Sequence, residues 1–105
     1  MSHYIDQLAT SVVEMKVATV STAVKTAAAD FAFTAGNLAK AAKAIITFRT
    51  GGAMITFDGT DPTATNGHFY AANTTIEVFG NSRIAALKFL REAGTDSVVT
   101  ITLEK

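Results

Sequence analysis

From residue 17 onward the chain is dominated by short runs in which apolar and polar side chains alternate. In Val98–Leu103, Val99, Ile101 and Leu103 fall on one side and Thr100 and Thr102 on the other, the period of two of a half-buried strand. Thr74–Phe79 repeats the pattern, with Ile76 and Val78 opposite Thr75 and Glu77. Val17–Lys25 and Asp30–Thr34 carry Val, Thr and Phe in the same manner. They predict two strands joined across Ala27–Ala29, with Phe31 and Phe33 on one face and Gly36-Asn37 ending the second. The alanines of NLAKAAKA favour helix, but so short a segment between strand signals predicts a loop or a single helical turn.

The middle of the chain has the densest turn chemistry. Ala44–Thr50 and Ala53–Phe57 flank Gly51-Gly52, and adjacent glycines suit the two positive φ angles of a type I′ hairpin turn. In the first of these runs Ile46 and Phe48 share one face, and Ile45, Thr47 and Arg49 the other. Ala53, Ile55 and Phe57 share a face of the second. DGTDPTATNG then predicts repeated turning and a long displayed loop. Further on, Gly80-Asn81-Ser82 and REAGTDS read as turns around Ile84–Leu90. There Leu87 and Phe89 share a strand face, although Ile84, Leu87 and Leu90 also fit a helical spacing.

Residues 2–16 differ. Ile5, Leu8, Val12 and Met15 recur at intervals of three and four, the stripe of an amphipathic helix. Asp6 lies early and Lys16 late, as a helix dipole favours. The stripe suits a short helix on its own domain or an arm docked on a neighbouring subunit, and the sequence leaves both open. The expected fold is all-β: a small antiparallel β-sandwich or barrel with a short N-terminal helix or arm. Residues 1–16 form the arm or helix and 17–105 a single β-sandwich domain.

Composition narrows the function classes. Hydrophobic residues make up 49% of the 105, but much of that is alanine, so the core is modest and rests on seven Phe with Ile, Val, Leu and Met. So small a chain gains from self-association, and a homo-oligomer is expected, a trimer included. The formal net charge is zero, without the basic excess of a nucleic-acid binder. Cysteine is absent, which excludes disulfides. MSHYIDQLATS has no positive region before an apolar run, so no secretory signal is expected, and synthesis is assigned to a cytoplasm. No apolar segment approaches the roughly 20 residues that span a bilayer, so no membrane partner is expected.

Candidate chemistry is sparse. Asp58 and Asp61 in DGTDP could be read as a calcium loop or a carboxylate pair, but the alternating ligands and distal Glu of an EF-hand are missing. They read better as turn residues accepting local backbone hydrogen bonds. His3 and His68 are the two histidines, and no cysteine is present to complete a zinc site. Neither GxSxG nor a phosphate-binding glycine pattern occurs. Phe57, Phe69 and Tyr70 would serve as a sugar-stacking platform or as core. The expectation is a non-enzyme with no catalytic residue, cofactor or metal.

The stretch ITFDGTDPTATNGHFYAANTTIEVFGNSRIAALKFL resembles small β-sandwich virion proteins of tailed bacteriophages, of the capsid decoration or cement type. Their pattern is a "DGTxPTATNG" turn, an "LxxGxxxEL" strand, an "Ixxxgtd" strand and a terminal "vxVtxxE". Here these correspond to Asp58–Gly67, Thr75–Val78, Gly94-Thr95-Asp96 and Val98–Glu104, and the resemblance covers residues 42–105. One departure is Asn73, where family members usually carry Gly before the "xxEL" strand. The resemblance implies a structural protein on the capsid surface that binds across adjacent capsid subunits. Its partners would be the major capsid protein or other virion proteins, with a tail or head–tail junction role as the alternative. The interface residues expected are Tyr4, Ile5, Leu8, Val12, Met15, Asp58, Asp61, Phe69 and Tyr70.

ITFDGTDPT…Y is also similar to the "YTxDGSxPTxxSxxY" turn of small β-sandwich modules attached to chitobiase-like and other glycoside hydrolases. That likeness implies a carbohydrate- or receptor-binding module. The absence of Trp weighs against sugar stacking.

Overall fold

In the computed structural model, residues 12–92 and 94–105 are described. Among the described residues, eight strands form two antiparallel four-stranded sheets. In chain order they are β1 (Val12–Val20), β2 (Lys25–Thr26), β3 (Lys43–Arg49), β4 (Ala53–Thr56), β5 (His68–Tyr70), β6 (Thr75–Phe79), β7 (Lys88–Arg91) and β8 (Ser97–Glu104). Three short helices intervene among the described residues: α1 (Ala27–Asp30), α2 (Ala35–Lys40) and α3 (Asn81–Ala85). One sheet runs β1-β8-β3-β6 and the other β2-β7-β4-β5.

The alternation read from the sequence decides which side chains go inside. Val99, Ile101 and Leu103 of β8 and Ile46 and Phe48 of β3 are fully buried, as are Ala53 and Ile55 of β4 and Leu87 and Phe89 near β7. These residues of both sheets belong to one apolar cluster. Phe31 contributes a ring 5.4 Å from Phe89 and stacks on Phe33 at 6.1 Å. Each fully buried large side chain stabilises by about 1.5–3 kcal/mol, so the cluster holds the two sheets together.

Several local expectations are overturned. The run Val12–Lys16, expected in the last turns of a helix, is the start of β1, paired from Val12↔Glu104 through Lys16↔Ile101. The β-branched Val12, Val13 and Val17 favour a strand once β8 supplies a neighbouring ladder, and tertiary pairing overrides the helical spacing. Tyr4, Ile5 and Leu8 lie outside the described residues. Asp30–Thr34 is not a strand. Thr26 caps α1, its Oγ1 accepting the Ala29 N–H at 3.0 Å while Asp30 Oδ2 accepts the Thr26 N–H at 2.8 Å. That reciprocal cap closes a helical turn where a strand connection was expected. Gly36-Asn37 lies inside α2 rather than ending a strand, and Asn81-Ser82 opens α3 rather than a simple turn.

The largest correction concerns Gly51-Gly52. β3 and β4 belong to different sheets, so the pair joins sheets instead of turning a hairpin. Neither glycine has positive φ; Thr50, at φ 63°, takes the left-handed position. Both glycines are needed for close approach. A Cβ on Gly51 would lie 2.7 Å from the Thr95 carbonyl oxygen, and one on Gly52 would lie 2.6 Å from the Phe69 ring. Asn73, by contrast, adopts φ 66°, a conformation asparagine tolerates better than most residues.

Candidate functional site

The hairpin that does form is β4–β5, with Ala53↔Tyr70, Met54↔Phe69 and Ile55↔His68 paired across the 57–67 loop. The loop is ordered by its own side chains. Asp58 Oδ1 accepts the Thr60 N–H at 3.0 Å, and this bond holds the Asp58 carboxyl below its usual range. The Thr56 hydroxyl donates to the Thr60 carbonyl oxygen, and Pro62 is buried. Thr63 Oγ1 accepts the Asn66 N–H at 3.0 Å, and the Thr63 N–H donates to the Asn66 carbonyl oxygen at 3.0 Å. Asp61 reaches Lys88 Nζ at 2.8 Å, which ties the loop to β7. Asp58 is therefore a turn residue and Asp61 an exposed ion-pair partner.

Among the described residues, β5 and β6 are each the last strand of their sheet. Between them lies an open groove of about 780 Å³. Phe57, His68 and Tyr70 line it from the hairpin side, and Ile76, Val78 and Phe79 from β6. Asp58, Asn66, Glu77 and Arg83 add polar groups. Phe57 and His68 meet with ring centroids 5.5 Å apart, and Tyr70 stacks on the buried Phe48 at 5.6 Å and 5°. At the β6 wall Lys43 Nζ pairs with Glu77 at 3.0 Å and lies 5.6 Å from the Phe79 ring centroid. The bond to Glu77 raises the Lys43 pKa above its ordinary value.

The sequence-predicted residues do not converge on one place. Tyr70 lines the groove, Asp58 stands on its rim, and Phe69 points its ring against Gly52 while remaining 52% exposed. Val12 and Met15 sit on β1, in the other sheet from the hairpin, and both are exposed. Sequence reasoning missed Phe79, Glu77 and Arg83. Phe79 did carry a signal: it continues the Thr75–Glu77 parity, so a large ring falls on the otherwise polar face of β6. Among the described residues, no cluster of three or more His, Asp or Glu is arranged to hold a metal, and no helix is long and apolar enough to cross a membrane. No family model, curated protein or solved structure matches the chain.

Proposed function

We propose that the chain is a bacteriophage structural protein that decorates the capsid, a non-enzymatic cement that binds across adjacent capsid subunits. In this reading its two sheets pack face to face as a small β-sandwich. The observation that carries the reading is the 57–67 loop. The segment that resembles the virion proteins is locked by Asp58, Thr63, buried Pro62 and the Asp61–Lys88 pair, so it is a displayed surface with little ordering entropy left to lose on docking. Its carboxylates are engaged in turn and ion-pair contacts. Exposed Phe69, on the strand that follows, supplies apolar area beside it.

The test is cryo-electron microscopy of purified virions from the source phage, together with add-back of the purified chain to shells lacking it. Density repeated with lattice symmetry on the outer capsid is expected, with reduced add-back for Phe69→Ser. Density confined to the tail or its junction replaces reinforcement with an adaptor role. Absence from virions overturns the assembly reading.

The groove supports a second reading, a carbohydrate- or receptor-binding module. Aromatic rings beside Asp, Asn, Glu and Arg in an open cleft suit a polyhydroxylated ligand. Saturable binding to a glycan, weakened by Phe57→Ala without unfolding, is the outcome that would favour it. Tyr70 is the poorer probe because its ring also packs on Phe48.

A further inference from the structure

We propose that the groove between β5 and β6 takes a saccharide that carries a carboxylate, a uronic acid residue, and that Arg83 holds the carboxylate. The inference rests on the saccharide reading of the groove and does not need the virion role.

Charge decides the ligand class. Asp58, Glu77 and Arg83 all line the groove. Both carboxylates are already engaged: Asp58 Oδ1 accepts the Thr60 N–H at 3.0 Å, and Glu77 pairs with Lys43 at 3.0 Å. Arg83 is exposed, and its guanidinium makes no hydrogen bond or ion pair among the described residues. The backbone beneath it is fixed. Gly80, at φ 101°, turns the chain from β6 into α3, and its carbonyl oxygen accepts the N–H of fully buried Ile84 at 3.1 Å. Asn81 ties the same helix to the end of α2. The base of Arg83 is therefore anchored while its donors stay open.

A guanidinium presents a planar fork of N–H groups that matches a carboxylate through two parallel bonds. One open cation calls for one anion. A dianion such as phosphate would be repelled by Asp58 and Glu77, and an acidic peptide would bring a row of carboxylates against a single open cation. The rest of the lining describes what carries the charge. The Tyr70 hydroxyl and the Asn66 amide, neither bonded through its polar atoms among the described residues, can donate and accept, as sugar hydroxyls do. Val78 belongs to the core cluster, and Phe57, Tyr70 and Ile76 pack against it, so the groove has a firm apolar base. A pyranose ring offers such a base its C–H face and keeps its hydroxyls for the polar groups around it.

Calorimetric titration of the full chain with uronate trimers (galacturonate, guluronate and mannuronate), their neutral methyl esters and a triglutamate peptide tests the proposal. Saturable binding of a uronate trimer is expected, at least about tenfold tighter than that of its ester. Arg83→Gln should remove that difference and leave the melting curve unchanged, because the guanidinium holds nothing in the fold. Lys25→Gln, on β2 at the far end of the hairpin's sheet, should leave the difference intact. Equal affinity for acid and ester keeps the saccharide reading and overturns the carboxylate. Binding of neither at millimolar concentration removes both. Preference for triglutamate, or acid binding that survives Arg83→Gln, overturns the proposal as well.

Discussion

Gly51 offers the sharpest test of how the two sheets are joined. Its φ is compatible with alanine, so Gly51→Ala incurs no backbone penalty and would by itself stabilise by about 0.4–1 kcal/mol through the unfolded chain. The new Cβ, however, would stand 2.7 Å from the Thr95 carbonyl oxygen and 3.0 Å from that of Asp96. Both are backbone atoms. The Asp96 carbonyl is further held by the Thr50 hydroxyl at 3.0 Å, so the segment cannot move aside without losing that bond. Overpacking of this kind costs about 1–3 kcal/mol, and the offset leaves a net loss of up to about 2.6 kcal/mol, and of about 1.3 kcal/mol at the middle of both ranges. For a domain of this size that lowers the melting temperature by roughly 4–8 °C per kcal/mol.

Urea and thermal unfolding followed by circular dichroism read the change directly. Gly36→Ala is the matched control: Gly36 lies in exposed α2 with nothing within 4 Å of a Cβ, so the same substitution should stabilise by about 0.5–1 kcal/mol. Gly51→Asn separates the sheet crossing from a hairpin, because asparagine is favoured in a type I′ turn but brings the same clashing Cβ. It should destabilise at least as much as alanine. Wild-type stability of Gly51→Asn would refute the close approach.

Other outcomes follow from single contacts. Asn81 Nδ2 lies 2.9 Å from the carbonyl oxygens of Leu38 and Ala41 and 3.0 Å from that of Ala39, joining the end of α2 to the start of α3. Asn81→Ala should therefore cost about 1–2 kcal/mol in urea titration and deprotect the α2 amides in hydrogen exchange. The Ser97 hydroxyl is buried without a partner among the described residues, so Ser97→Ala should be neutral or stabilising by up to about 1 kcal/mol. Donors from Asn37 and the Thr34 backbone, with the Lys16 charge, hold the Glu14 carboxyl below its ordinary value of 4.5. A depressed carboxyl pKa contributes stability above that value and loses it as pH falls through the folded pKa. Melting temperatures measured from pH 6 to pH 2 should accordingly fall less steeply in Glu14→Gln than in wild type. An equally steep acid limb would remove Glu14 from that account.

The regular alternation in β3, β6 and β8 was legible because a side-chain period of two needs no knowledge of the neighbouring strand. It placed Ile46, Phe48, Ile76, Val78, Val99, Ile101 and Leu103 on the correct sides. The turn chemistry of 58–67 was equally local: Asp58 and Thr63 accept from backbone N–H groups two or three residues away, and Gly59 takes the positive φ of 85° there. Pairing was a different matter. Apart from β4–β5, consecutive strands lie in opposite sheets, so most strand partners are distant in sequence and carry no local mark. The groove shared this fate, since His68 and Phe79 come together only because two sheet edges do. The glycine pair shows the limit most plainly. The sequence showed two adjacent glycines and pointed to a hairpin turn, but the reason side chains are excluded there lies in the Thr95 carbonyl and the Phe69 ring, atoms that only the tertiary packing brings within reach.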